Sequence, residues 1–203
     1  MDKKNVEDLY PLSPMQQGML FHSLYDPGSG AYIEQMVCTL HGDLDIPAFE
    51  RAWQRVIDRH PALRTAFVGE GLREPAQMVL WRAQSSLTRQ DWRGLTPAEQ
   101  EGRLEEFIRA DRTAGFELSK APLLRLAFLQ TAEDVAIFVW TYHHILLDGW
   151  SIPLLFKEVL VFYETFHRGE DLQLELPRPY RDYIVWLKQH TLADAEPYAR
   201  MFM

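Results

Sequence analysis

Apolar residues recur at helical spacing in several separate stretches of the chain. Between Asp45 and His60 they lie three and four residues apart, with Asp45 as the cap and Pro47 in the first turn, which predicts an amphipathic helix. Ser13 and Thr96 each open a capping box, and Ser151 is expected to cap a later helix. The same signals predict further helices over residues 14–24, 96–115, 151–169 and 180–192.

Other stretches are rich in β-branched and aromatic residues and predict strands. These are residues 32–40, 63–68 and 77–81 around a turn at 69–71, and 123–130 with 135–142. The last two are separated by a short polar segment, so we expect a hairpin of two central strands that leads directly into His143. No repeat, linker or proline-rich tract divides the chain. The mixture of predicted helices and strands therefore indicates one α+β layered sandwich.

Composition narrows the functional classes. A chain of 203 residues, 47% hydrophobic and 25% charged, is typical of a globular domain. Its net charge of -8 and the absence of a basic run argue against nucleic acid as a partner. The lone Cys38 excludes an intrachain disulfide and a cysteine-based zinc cluster, and fits a reducing compartment. No signal peptide or membrane-spanning stretch is visible, so we expect a cytoplasmic protein without membrane attachment.

The residues best placed for chemistry lie between the last predicted strand and the helix after it. A histidine at such a junction can act as a base near neutral pH, and Asp148 can orient an imidazole or hold the loop. Gly149 would let the backbone turn sharply or approach a ligand. His143 and His144 point to opposite faces of an extended segment, so no metal site is expected. From the residues alone, a histidine in such a position is more often a hydrogen-bonded structural residue than a catalytic one.

Four motifs together resemble the condensation domains of non-ribosomal peptide synthetases, relatives of chloramphenicol acetyltransferase. Residues 143–149 match the His-His-x-x-x-Asp-Gly signature residue for residue. Residues 13–22, 59–67 and 180–186 look like the family's opening, second and fourth motifs, and they occur in family order. The resemblance implies a chloramphenicol-acetyltransferase-like α/β sandwich forming a single lobe. Residues 1–203 would be the N-terminal lobe of a condensation domain, with the C-terminal lobe absent.

The resemblance also implies a reaction and a set of roles. An acceptor aminoacyl thioester attacks a donor acyl or peptidyl thioester, and an amide bond forms in non-ribosomal peptide synthesis. His144 corresponds to the residue at the reaction centre, His143 packs to hold the loop, and Gly149 lends its backbone amide or its small size. Asp148 is expected to form a buried structural pair with Arg64.

The implied partners follow from the same family. No cofactor is expected to bind directly, because the substrates are carried on the phosphopantetheine arms of donor and acceptor peptidyl carrier proteins. The C-terminal lobe and a downstream adenylation domain complete the set of partners. A single lobe is expected to be inactive alone and to expose an apolar face that promotes self-association.

Two alternatives remain open at this stage. The chain can be a complete small acyltransferase that is active as a homo-oligomer, although the long stretch after the His motif argues against it. It can also be a non-catalytic docking module for carrier proteins. The family resemblance implies that the donor and acceptor side chains are recognised by tunnel walls that the C-terminal lobe partly supplies.

Overall fold

The computed structural model describes residues 3–26, 28–69 and 72–190. The α-helices in this part are α1 (Pro14–Tyr25), α2 (Ile46–Arg59), α3 (Pro97–Ala114), α4 (Ser151–His167) and α5 (Tyr180–Gln189). Short 3-10 helices cover Lys3–Asn5 and Pro61–Arg64. The strands are β1 (Val6–Pro11), β2 (Ile33–His41), β3 (Thr65–Val68), β4 (Ala76–Leu80), β5 (Leu87–Asp91), β6 (Leu124–Ala132) and β7 (Val135–His143).

The strands form two sheets that differ in size. The smaller sheet is antiparallel in the order β1-β4-β3, and the larger has the order β2-β7-β6-β5. β7 pairs antiparallel with both β2 and β6, whereas β5 runs parallel to β6. β7 therefore lies in the interior of the larger sheet, and it is the strand that ends at His143.

Helices cover both faces of the larger sheet. On one face, Phe49 and Trp53 of α2 pack against Phe138 and Trp140 of β7, and α4 completes this core. On the other face, α3 packs beside Val139. Because successive side chains of a strand point to opposite faces, alternate residues of β7 contribute to each core. The result is the predicted layered α+β sandwich.

Most predicted elements are confirmed, with small differences at their ends. The helices, the β6–β7 hairpin and the capping roles of Ser13, Asp45 and Thr96 are present. The predicted cap at Ser151 is wrong by one position, since Trp150 is the N-cap and Ser151 is the first helical residue. Residues 70–71 of the predicted turn and residues 191–192 of the last helix lie outside the described residues.

The sequence does not predict two of the strands, β1 and β5. Both are edge strands of their sheets, and β5 has the sequence Leu-Thr-Arg-Gln-Asp, with only partly buried or exposed side chains. An edge strand of this kind lacks the apolar alternation on which the prediction of strands depends. None of the helices in the described ranges is long and apolar enough to cross a membrane.

Candidate active site

The loop that joins β7 to α4 is held by backbone hydrogen bonds on two sides. The amide of His143 donates to the carbonyl of Leu123 at 3.0 Å, and the amide of His144 donates to the carbonyl of Tyr32 at 2.7 Å. The two histidines are thus fixed at the end of an interior strand, each with its backbone bound to a different neighbour. Their side chains leave the strand on opposite sides and border different cavities, as the sequence predicted for adjacent residues of an extended segment.

The imidazole of His144 has one nitrogen bound and one available. Its Nδ1 lies 2.6 Å from the carbonyl oxygen of Leu147. A carbonyl can only accept, so Nδ1 carries the hydrogen and Nε2 presents a lone pair. No partner for Nε2 occurs among the described residues. The half-buried ring is therefore oriented as a hydrogen-bond acceptor.

His144 borders an open cavity of about 920 Å³, which we call the first cavity. It is surrounded by the start of α1, the 3-10 helix after α2, residues 143–149, which we call the His loop, and parts of α4 and α5. Most of the lining is apolar; the polar side chains are Ser13, Gln16, His60, His144, Asp148, Ser151, Arg178 and the two tyrosines Tyr180 and Tyr183. A mainly apolar concave surface with a few converging polar groups is typical of ligand sites.

His143 is a structural residue in its contacts. Its side chain is buried, and the amide of Ile145 donates to Nδ1 at 3.1 Å. Nε2 therefore carries the hydrogen and donates to Ser23 Oγ at 3.1 Å. Burial, with a smaller contribution from the neighbouring His144, lowers the pKa of His143 to about 4. The ring is neutral at physiological pH with both nitrogens bound, and it borders a second cavity of about 570 Å³.

This lowered pKa predicts a pH-dependent contribution to stability. Between its ordinary pKa of 6.5 and the folded value of about 4, unfolded His143 binds a proton that the folded residue does not, so stability falls as pH falls. The gap corresponds to about 3 kcal/mol. We expect the stability advantage of the wild-type chain over His143→Asn to shrink by up to this amount between pH 7 and pH 4 in chemical denaturation. An advantage that stays constant over this range would contradict the prediction.

Asp148 stabilises the turn into α4. Its Oδ1 accepts hydrogen bonds from the backbone amide of Ser151 at 2.9 Å and from the Ser151 hydroxyl at 2.7 Å. These hydrogen bonds lower the pKa of the exposed carboxyl. The backbone does turn at Gly149, as predicted, but its φ lies outside the left-handed region and a Cβ there would have no atom within 4 Å. The turn itself therefore does not require glycine, and the role of Gly149 toward a ligand stays a prediction.

The predicted pair between Arg64 and Asp148 is wrong. Arg64 Nη1 donates to Glu7 Oε2 at 2.6 Å and to the carbonyl of Leu80. Its side chain is 6% exposed and crosses β4 to reach β1, so both of its hydrogen-bond partners belong to the smaller sheet. Asp148 belongs to the loop that follows the larger sheet and is bound to Ser151 instead. Arg64 is the last residue of the 3-10 helix whose residues 61–63 line the first cavity.

The corrected role of Asp148 changes its expected effect on stability. Asp148→Ala removes a helix-start acceptor at the surface, which typically costs about 1 kcal/mol, rather than stranding a buried charge. Asp148→Asn keeps an acceptor oxygen and should retain most of that stability. Since the folded pKa is lowered, the contribution is present above the carboxyl's ordinary pKa and is lost as pH falls below it. Urea denaturation of both variants at neutral pH measures it; a loss of several kcal/mol for Asp148→Ala would contradict this role.

Two contacts of the His loop had no signal in the sequence. Ser23 holds His143, and Gln16 Nε2 donates to the Ile145 carbonyl at 3.3 Å. Gln16 and Gln77 also exchange amide hydrogen bonds at 3.0 and 3.3 Å in the buried interior. Gln16 completes the capping box opened by Ser13, but Gln77 and Ile145 are far from it along the chain. In the described ranges, no three His, Cys, Asp or Glu side chains come together as a metal site.

Comparison with known proteins shows what this chain is similar to. The family model described as the Condensation domain matches residues 6–198. The chain is 48% identical to one of the linear gramicidin synthase proteins of Brevibacillus parabrevis over 199 residues, which are 98% of this chain and 4% of that protein. It is 41% identical to bacitracin synthase 3 of Bacillus licheniformis over 201 residues, 99% of this chain and 3% of that protein.

Among solved structures, the chain resembles a variant of the starter condensation domain of rhizomide synthetase RzmA in complex with C8-CoA and Leu-SNAC. The TM-score is 0.81 at 22% identity, and the match covers 94% of this chain and 44% of that one. This likeness confirms the α+β, chloramphenicol-acetyltransferase-like fold. The chain spans only a few percent of its synthetase relatives and less than half of the solved domain. With a family model over nearly its whole length and synthetase relatives above 40% identity, the chain belongs to the condensation-domain family of non-ribosomal peptide synthetases.

Proposed function

We propose that this chain is the N-terminal lobe of a condensation domain in a longer protein, which we call the full-length protein. The chain supplies the reaction-centre histidine, and the full-length protein forms amide bonds between carrier-bound thioesters. The observation that carries the proposal is the geometry of His144. Its Nδ1–H is bound to the Leu147 carbonyl, and its ring borders the first cavity with the Nε2 lone pair unoccupied by the described residues.

The proposed role of His144 is to orient the acceptor amine and later to accept its proton. An α-amino group with a pKa near 8 is already about one-tenth neutral at pH 7, so the acceptor amine needs orientation more than deprotonation. After it attacks the donor thioester carbonyl, the nitrogen is positively charged and strongly acidic. His144 Nε2 takes that proton, and collapse of the intermediate breaks the carbon–sulfur bond. The His144 imidazolium then gives its proton to the leaving thiolate, which returns the histidine to its starting form. A hydrogen bond that strengthens along this path favours the transition state.

The partners follow from the same proposal. Donor and acceptor peptidyl carrier proteins present the substrates on phosphopantetheine arms, and no cofactor binds directly. Large apolar side chains beside the first cavity are exposed, including Trp150 at 85% and Leu154 at 67%. We infer that a C-terminal lobe covers this surface, that an adenylation domain follows, and that the isolated chain is inactive and self-associates. A cytoplasmic location belongs to this proposal as well.

Reconstitution with loaded carriers tests the proposal and separates it from its two alternatives. The full-length protein is mixed with a donor-loaded and an acceptor-loaded carrier, and carrier-bound products are identified by mass spectrometry. Amide product that requires both carriers supports condensation. Carrier binding without any amide would instead identify a docking module. Acyl transfer to a free amine by the isolated 203-residue chain would identify a small self-assembling acyltransferase.

A further inference from the structure

A second polar cluster lies on the α3 side of the larger sheet, away from the first cavity. Its centre is Arg125 on β6, which stands opposite Thr141 of β7 in the strand register. Thr141 precedes His143 by two residues on the same strand. Arg125 is therefore beside the strand that carries the His loop, although it belongs to none of the four motifs recognised in the sequence.

The guanidinium of Arg125 holds the end of α3 at several points. Nε donates to Asp111 Oδ1 at 2.6 Å, Nη2 to the Asp111 carbonyl at 2.6 Å, and Nη1 to the Gly115 carbonyl at 2.5 Å. Gly115 has a φ of 57°, a left-handed conformation that favours glycine and turns the chain out of α3. One planar group thus fixes both sides of this turn, which a lysine ammonium cannot reproduce.

The same guanidinium is linked to His143 through an aromatic ring. Its Cζ lies 4.1 Å from the ring centroid of Phe116. The ring of Phe116 meets that of His143 at an interplanar angle of 75°, with centroids 6.5 Å apart. Phe116 and His143 both line the second cavity. A continuous series of contacts therefore runs from Arg125 to the histidine that precedes His144.

We propose that Arg125 is a positioning residue for the reaction: it fixes residues 115–119 as a wall of the second cavity and, through Phe116, fixes the His loop. The far end of this wall is held separately, since the amide of Phe67 donates to the Leu118 carbonyl at 2.7 Å. Loss of Arg125 therefore loosens the wall at one end while the chain stays folded. The rate effect of Arg125 rests on the proposed condensation function.

The test compares Arg125→Met with Arg89→Met in the full-length protein. Arg89 is a matched control because it lies on β5, the strand next to β6, and pairs with the exposed carboxylate of Glu50. In the two-carrier assay we expect kcat to fall about 10-fold for Arg125→Met, with KM for either carrier little changed, because misplacement acts on the chemical step. Phe116→Leu should give a similar loss, and the double variant should lose no more than the larger single effect.

Hydrogen exchange of the same proteins gives a readout that does not depend on activity. Arg125→Met should speed exchange both in residues 115–119 and in residues 143–147, whereas Arg89→Met should change neither. Unchanged kcat in a folded Arg125→Met protein, or faster exchange confined to residues 115–119, would overturn the proposal. If the wild-type protein forms no amide at all, the condensation function fails, and exchange at residues 143–147 alone then decides the positioning role.

Discussion

His144→Ala is expected to lower the rate of amide formation by about 10²- to 10⁴-fold, the usual contribution of a positioned acid–base group. The variant removes the Nε2 acceptor and leaves the backbone pairing of the loop intact, because the amide of residue 144 still donates to the Tyr32 carbonyl. Stability should therefore change little, since the side chain is only half-buried. Single-turnover assays with loaded carriers measure the rate, and circular dichroism verifies the fold.

His41→Ala is the matched control for this variant. His41 is an exposed histidine at the far end of β2 and should retain wild-type activity when replaced. Binding of both loaded carriers to His144→Ala should also be unchanged, since the lost interaction belongs to the transition state. Wild-type rates in a folded His144→Ala protein would show that His144 takes no part in the reaction.

Arg64→Met is expected to cause the largest loss of stability among the site residues, about 3 kcal/mol. The substitution leaves the Glu7 carboxylate, which is 26% exposed, and the Leu80 carbonyl without their donor. Removing one member of a largely buried ion pair is costly because the remaining charge is uncompensated. Chemical denaturation of the 203-residue chain measures the effect.

Two further variants show whether the loss comes from the ion pair. Arg64→Met combined with Glu7→Gln should recover part of the stability, because the stranded charge is gone. Arg181→Met breaks the neighbouring pair with Asp8, whose arginine is 57% exposed, and should cost less than about 1 kcal/mol. Equal losses for Arg64→Met and Arg181→Met would contradict the assignment of Arg64 to a buried pair.

The parts of the fold that were predicted correctly are those with local causes. Ser13 and Thr96 begin helices because their side chains bind amides three residues away, and that spacing is visible in the sequence. The β6–β7 hairpin follows from two adjacent apolar runs, and it places His143 at the end of a buried strand. The opposite orientation of the two histidines is likewise a local property of extended backbone.

The contacts that were missed join residues far apart in the sequence. The family resemblance pairs Arg64 with Asp148, but its partner Glu7 lies on β1, a strand that the sequence does not predict. Ser23 and His143 are 120 residues apart, so nothing near either residue indicates their hydrogen bond. The tautomer of His144 depends on the Leu147 carbonyl turning back toward the ring, a detail of loop conformation that no residue pattern encodes.

Replacement of His144 by 3-(pyrrol-2-yl)alanine in the full-length protein tests the central claim most directly. The pyrrole ring keeps an N–H at the position of Nδ1, where it can donate to the Leu147 carbonyl, and puts a C–H at the position of Nε2. The ring therefore keeps its place and loses only the lone pair. We predict that single-turnover amide formation between loaded carriers falls to the level of His144→Ala. Amide formation at the wild-type rate would show that the Nε2 lone pair takes no part in the reaction.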